Sequence, residues 1–233
     1  MSQVFGFIVS AFGQKQEQKD IRDLLEKSKD FKKLSRAEKV QALSIQVASE
    51  VARQHEGALI VIGDTRSYQL LFPNFFSKGK ISVFDDGMEK VLVKLAQIDG
   101  AIILNNSGII KAYGARLTKS SSFKGAGTRH SAAKGISQEK GIVAILASEE
   151  DKVVRVFKNG NIAAEINPNT KGVENNVSKL VKFMNSPEGA VAAGAAIAIP
   201  FLGIPGVVVF AGTYYVAKNL LKFTHKASDS AKK

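Results

Sequence analysis

The feature that most limits how this chain can fold is a change of hydrophobic period at Gly57. Before it, Ile21, Leu24 and Leu25, then Val40, Leu43, Val47 and Val51, recur at three- and four-residue spacing among charged neighbours. That spacing lines one face of a helix. It predicts one short helix and one longer amphipathic helix running toward His55. Ser35 followed three residues later by Glu38 fits a capping box, which satisfies two of the N–H groups a helix leaves open at its start.

Beyond Gly57 the apolar residues gather in short runs bounded by Gly, Asn and Asp: Ala58 to Ile62, Ile81 to Phe84, Ala101 to Leu104, Ile109 to Tyr113, Ile142 to Ala147 and Val153 to Phe157. Runs of that length read as strands. Met88 to Gln97 and a segment opening near Thr128 read as helices between them, while Asn105 to Gly108 and Lys158 to Asn161 have the composition of hairpin turns. Hairpins require antiparallel neighbours and intervening helices permit parallel ones. The expected fold is therefore α/β, a mixed central sheet flanked by helices. We divide the chain into a helical lead-in at 1–35, the α/β body at 36–170 and an apolar helical segment with a basic tail at 171–233.

From Gly189 to Ala217 no residue is charged. One helix of about 29 residues would be roughly 43 Å long, more than the ~30 Å of a bilayer core. Pro200, Gly203, Pro205 and Gly206 divide the run into halves too short to span. The reading is a C-terminal helical hairpin, either re-entrant or interfacial in a membrane, or packed on the sheet or another subunit. Lys179 and Lys182 before it, and Lys218, Lys222 and Lys226 after it, would keep both ends on the cytoplasmic side. The expected location is cytoplasmic, with contact on the cytoplasmic face of a membrane through Gly189 to Ala217. Met1 to Gly13 is also apolar, but lacks the basic start and cleavage site of a secretory signal. It reads as a buried lead-in or an interfacial contact.

Composition narrows the chemistry. With no cysteine, the chain cannot form a disulfide, a thiolate metal site or a cysteine nucleophile, and three scattered histidines do not make a metal cage. Any metal should be a hard cation held by oxygen. A net charge of +12 favours anionic partners: nucleotides, nucleic acid or anionic lipid.

Three groups of residues carry chemistry. Asp99, Gly100 and Ala101 open a strand, placing a carboxylate at the sheet edge. Gly127, Thr128, Arg129 and His130, after a serine- and glycine-rich stretch and before a helix, suit phosphate through exposed N–H groups and a bidentate guanidinium. Ser148, Glu149 and Glu150 end a strand with adjacent carboxylates, the oxygen ligands that Mg²⁺ or Mn²⁺ prefers. No GxxxxGK[ST] phosphate loop is present.

In this order and spacing, the three groups resemble the diadenylate cyclase domain (DAC) family. The resemblance rests on Asp99-Gly100-Ala101, on Gly127-Thr128-Arg129-His130 with Ser131-Ala132-Ala133, on Gly135-Ile136-Ser137 and on Ala147-Ser148-Glu149-Glu150, over residues 38–165. It implies an enzyme that joins two ATP molecules into 3′,5′-linked cyclic di-AMP with release of two pyrophosphates. It also implies a divalent metal (Mg²⁺ or Mn²⁺, with Co²⁺ a further candidate) and two active sites facing each other in a homodimer, at least a transient one. Asp99 would bind metal and help deprotonate the attacking hydroxyl, and Arg129 and His130 would serve catalysis at the phosphates. Gly100, Ala101, Leu117, Gly127, Thr128, Ser148 and Lys134 would contact nucleotide, and Glu149 and Glu150 would complete the metal set with Asp99. A nucleic-acid partner is not expected, since no DNA-binding module is present.

Two departures from the family's pattern stand out. Ser131 occupies the place of a second arginine and Gln138 that of an acid. A lost charged hydrogen bond is worth about 1.5–3 kcal/mol, roughly ten- to a hundredfold in rate. Lys134 or Lys124 is the expected substitute charge. The alternatives are a catalytically idle, membrane-associated nucleotide sensor of the same fold, or a membrane-inserting C-terminal module regulated by the α/β body.

Overall fold

The computed structural model describes residues 21, 25, 27–73, 81–122, 127–187, 197–203 and 205–211. A single helical turn, α1 (Lys29–Lys32), is capped by Ser28, whose hydroxyl accepts the Phe31 N–H. It leads into α2 (Arg36–Arg53), which starts with the expected capping box: Ser35 Oγ accepts from Glu38 N and Glu38 Oε2 accepts from Ser35 N at 2.8 Å. Helix α2 is buried nearly all round, not on one face only. Its polar residues are accordingly paired: Gln46 Nε2 donates to the Glu174 carbonyl at 2.8 Å, and Gln41 Oε1 accepts from Asn185 at 2.9 Å.

The strands are β1 (Ala58–Ile62), β2 (Tyr68–Leu70), β3 (Ala101–Leu104), β4 (Ile110–Leu117), β5 (Val143–Ala147), β6 (Val154–Lys158), β7 (Asn161–Ile166), β8 (Ile197–Pro200) and β9 (Val207–Ala211). They form one nine-stranded sheet ordered β2-β4-β3-β1-β5-β6-β7-β9-β8. Only β1 and β3 run parallel; every other pair is antiparallel. The mixed α/β sheet expected from the sequence is thus present. Helices α3 (Met88–Ala96) and α5 (Val177–Met184) join α2 on one face, and α4 (Thr128–Ile136) covers the other. Strand β1 explains why Ala58 to Ile62 is apolar without alternation: Ile60 and Ile62 face α2, while Leu59 and Val61 face the α4 side.

Two expectations need correction. Ile81 to Phe84 is not a strand: a lone bridge pairs Ser82 with Ile109, and the chain turns as Asp85 Oδ2 accepts the Ser82 N–H at 2.9 Å. The carboxylate ends the extended run after one residue. The apolar segment read as a helical hairpin is, in its described part, a β-hairpin: β8 and β9 pair with each other, and β9 pairs with β7. The cause is local. Val207, Val208 and Val209 favour extended backbone, Val207 and Val209 are buried at period two, and Pro200 sits on the edge strand where its missing N–H does no harm. Among the described residues no helix is long and apolar enough to cross a membrane. The lead-in at 1–13, the rest of the apolar run at 189–196, 204 and 212–217, and the basic tail from 218 lie outside the described residues.

Candidate active site

Asp99 stands between α3 and β3, where Gly100 turns the chain with φ of +100°. A side chain at Gly100 would meet the backbone of β4, with a Cβ only 2.6 Å from the Gly114 carbonyl carbon. Glycine is therefore required by the close approach of two strands, besides any ligand. Asp99 Oδ1 accepts the Gly100 N–H at 3.0 Å, and its side chain is 85% exposed.

Helix α4 begins at the N-cap Gly127, with no side chain capping its first turn. Arg129 in that turn reaches out between two carboxylates, its Nη2 3.8 Å from Asp99 Oδ1 and its Nη1 3.7 Å from Glu149 Oε2. These contacts are too long for hydrogen bonds and too exposed to add much stability. They are contacts a phosphate can displace. Gly57, at the entrance to β1, makes room for the guanidinium: a Cβ there would lie 2.6 Å from Arg129 Nη1.

The fold therefore brings Asp99, Arg129 and Glu149 together from three distant stretches. Beside them opens a cleft of about 680 Å³ lined by Asp99, Gly100, Ala101, Leu117, Gly127, Thr128, Arg129 and Ser131. Ser120 and Ala132, from the serine-rich stretch and the start of α4, complete that side, and sequence reasoning missed the rest of the wall, namely Leu59, Leu71, Ala115 and Arg116. The period of two along β4, which puts Ala115 on the same face as Leu117, was an available signal, whereas the unbroken apolar run of β1 gave none for Leu59. A smaller hollow of about 120 Å³ adjoins it, lined by Gly127, Thr128, Arg129, His130, Ser148, Glu149 and Glu150.

Not every expected residue lines the larger cleft. Ser148 is buried and its hydroxyl accepts the Asp151 N–H at 3.2 Å, shaping the loop that presents the two glutamates. Lys134 lines neither hollow; its Nζ donates to the Ser122 carbonyl at 3.0 Å. Lys124 lies outside the described residues. Gln138 replaces the family's acid, yet Glu139 follows it and accepts from Ser67 Oγ at 2.5 Å and Lys119 Nζ at 2.8 Å. Burial pushes the Glu139 pKa up, but hydrogen bonds from Lys119, Ser67 and Thr65 outweigh it and hold the carboxyl below its ordinary 4.5.

His130 is 4% exposed, and Arg155 Nη1 lies 2.6 Å from its Nε2. Burial, reinforced by the Arg155 charge, lowers its pKa from 6.5 against the opposing pull of Asp151, Glu150 and Glu165.

Among the described residues no three Asp, Glu or His side chains converge as metal ligands. Asp99 and Glu149 instead offer hard oxygens singly, on either side of Arg129. That donor set fits a cation which keeps phosphate and water ligands, as Mg²⁺ does at nucleotide sites.

The mixed sheet thus carries an uncapped helix start, small-residue walls and a guanidinium at the cleft mouth, a combination that suits an anionic ligand. Residues 45–162 match the family described as DisA bacterial checkpoint controller nucleotide-binding (DAC), and the chain belongs to that family. It is 32% identical over 136 residues to the diadenylate cyclase of Methanocaldococcus jannaschii, covering 53% of this chain and 44% of that protein. Against the diadenylate cyclase of Haloferax volcanii the identity is 33% over 139 residues, covering 53% and 51%. The chain thus spans about half the length of the curated relatives it matches. Among solved structures, a double variant of DacA from Staphylococcus aureus overlaps with a TM-score of 0.41 at 25% identity, covering 54% of this chain and 85% of that one. A hypothetical membrane-spanning protein from Bacillus cereus gives 0.42 at 21% identity, covering 50% and 58%.

Proposed function

We propose that this chain is a diadenylate cyclase that condenses two ATP into cyclic di-AMP. The observation that carries the reading is the meeting of Asp99, Arg129 and Glu149 at the mouth of a nucleotide-sized cleft, in a chain of the DAC family.

In each half-reaction the 3′-oxygen of one ATP forms a bond to the α-phosphorus of the other. The bond from that phosphorus to the bridging oxygen breaks, pyrophosphate leaves with the electron pair, and the hydroxyl proton is lost. Two such steps close the ring and release two pyrophosphates. Two protomers facing each other, each bringing one nucleotide in its cleft, would supply both nucleotides. Asp99, exposed and anionic beside the cleft, would take the hydroxyl proton or orient that oxygen. Arg129 would leave its two loose carboxylate contacts for phosphate and offset charge growing on the leaving pyrophosphate. Gly127 and Thr128 present the start of α4 to the phosphates, while Leu59, Ala101, Ala115 and Leu117 offer an apolar wall to adenine. A divalent metal, held by Asp99 and Glu149 together with the phosphates, would supply charge neutralisation there.

A second reading, an idle nucleotide binder, is favoured by Ser131, which lines the cleft where the resemblance leads one to expect an arginine. Turnover and ATP affinity measured together separate the two. Asp99→Asn should abolish turnover and leave ATP affinity within a few fold. Arg129→Ala should weaken both. Wild-type protein that binds ATP without consuming it would favour the idle binder.

A further inference from the structure

The chemistry assigned so far leaves unexplained a charged residue in the middle of an apolar strand. Arg155 follows Val154 and precedes Val156 in β6, and its side chain turns toward α4. There its guanidinium meets three partners: Nε donates to Glu165 Oε2 at 2.8 Å, and Nη1 lies 2.6 Å from both Asp151 Oδ2 and His130 Nε2. Glu165 comes from the neighbouring strand, directly opposite in register, and Asp151 from the loop after β5. The arginine is therefore held from two sides before it reaches the histidine.

We propose that Arg155 is a positioning residue for His130, fixing the ring as the neutral tautomer that carries its proton on Nδ1. A guanidinium has five N–H donors and no acceptor. At 2.6 Å the Nε2 atom must accept, so it bears no hydrogen. The Nδ1–H is then the ring's only donor, and an imidazolium would place a proton against a cation. The groups facing the ring are Arg155 from β6, Glu165 from β7, and Asp151 and Glu150 from the loop after β5. Asp151 and Glu165 offset the arginine's charge, so the cluster tolerates burial while the histidine stays uncharged.

This assignment rests on the cyclase reading for its consequence. His130 lies in the first turn of α4 beside Arg129, and a ring whose Nε2 accepts from Arg155 cannot act as a base through that nitrogen. It also bears on Ser131. The guanidinium that touches His130 comes from the sheet here, whereas the resemblance places a second arginine directly after the histidine, where this chain has Ser131.

The test is the imidazole ¹⁵N spectrum of histidine-labelled full-length protein near neutral pH. With three histidines in the chain, a His130→Gln spectrum assigns the signals. The proposal predicts an unprotonated, pyridine-like Nε2 and a protonated Nδ1 in the wild type. A protonated Nε2 there overturns it without any variant of Arg155. Arg155→Met should release the ring to the Nε2–H form or to exchange between the two, while Arg155→Lys, which keeps a donor, should retain the Nδ1–H form. A folded Arg155→Met with an unchanged spectrum also overturns it. Turnover in Arg155→Met should fall on the order of ten- to a hundredfold through misplacement of His130, with ATP affinity preserved. If no cyclic dinucleotide forms in the wild type, the cyclase reading fails while the tautomer result still decides the role of Arg155.

Discussion

Gly57 shows how a residue with no side chain can control the site. It contributes empty space, and that space holds the end of the Arg129 side chain. Because the clash in Gly57→Ala falls on the far end of a flexible side chain, the fold should tolerate it. Gly57 is buried, but only the mobile guanidinium has to yield, so we expect the thermal midpoint to move by less than ~3 °C, the shift that about 1 kcal/mol produces in a domain of this size. Turnover should nevertheless fall about tenfold or more as the guanidinium shifts from its place between Asp99 and Glu149. Calorimetry and a turnover assay on the same preparation check both halves. Gly100 behaves oppositely. Its φ of +100° and the β4 backbone at 2.6 Å leave nothing flexible to yield, so Gly100→Ala should destabilise the protein by several kcal/mol, read by denaturant titration.

At the scale of elements, residues 118–122 after β4 wall one side of the cleft by lying across α4. A Cβ at Gly135 would come 2.5 Å from the backbone of Ser120, and Ser121 N–H donates to the Ser131 carbonyl at 2.8 Å. Glu139 ties down the same loop through Lys119. Since its folded pKa lies below its ordinary 4.5, the carboxylate adds stability that is fully present above that value and is lost as pH falls through the folded one. Glu139→Gln should therefore be less stable than wild type at neutral pH, and the difference should shrink below about pH 4.5. Thermal melts across that range test the sign.

Legibility in sequence follows the same physics. Strands β1 and β3 were read to the residue because both their faces are covered, which makes continuous apolar runs. Strand β2 escaped because it is three residues long, exposed at the sheet edge and mostly outside the core. The β8–β9 hairpin was misread because alanines and glycines around it suggest a packed helix, while the three consecutive valines were the stronger local signal. In the site, Asp99, Arg129 and Glu149 were visible as motifs. Arg155 was not, because its bond to His130 joins residues 25 apart through the α4–sheet packing.

For the whole molecule, the described part of the C-terminal segment is in the core of the same sheet that carries the site. Val177, Leu180, Val181 and Met184 of α5 and Val207 and Val209 of β9 belong to the core that buries α2. Asn185 and Glu174 are bonded to that helix directly. Val209→Asp, which would bury a carboxylate, should destabilise the entire domain by roughly 3 kcal/mol or more in one cooperative transition. Separate melting of the hairpin at low denaturant, with the site intact, would contradict that coupling. The most direct test of the central claim is the nucleotide made from ATP. Purified protein with ATP and Mg²⁺ or Mn²⁺, followed by chromatography with mass detection, should yield cyclic di-AMP and pyrophosphate, with neither formed by Asp99→Asn. Intact ATP recovered from a saturated, folded wild-type protein under both metals would contradict the account.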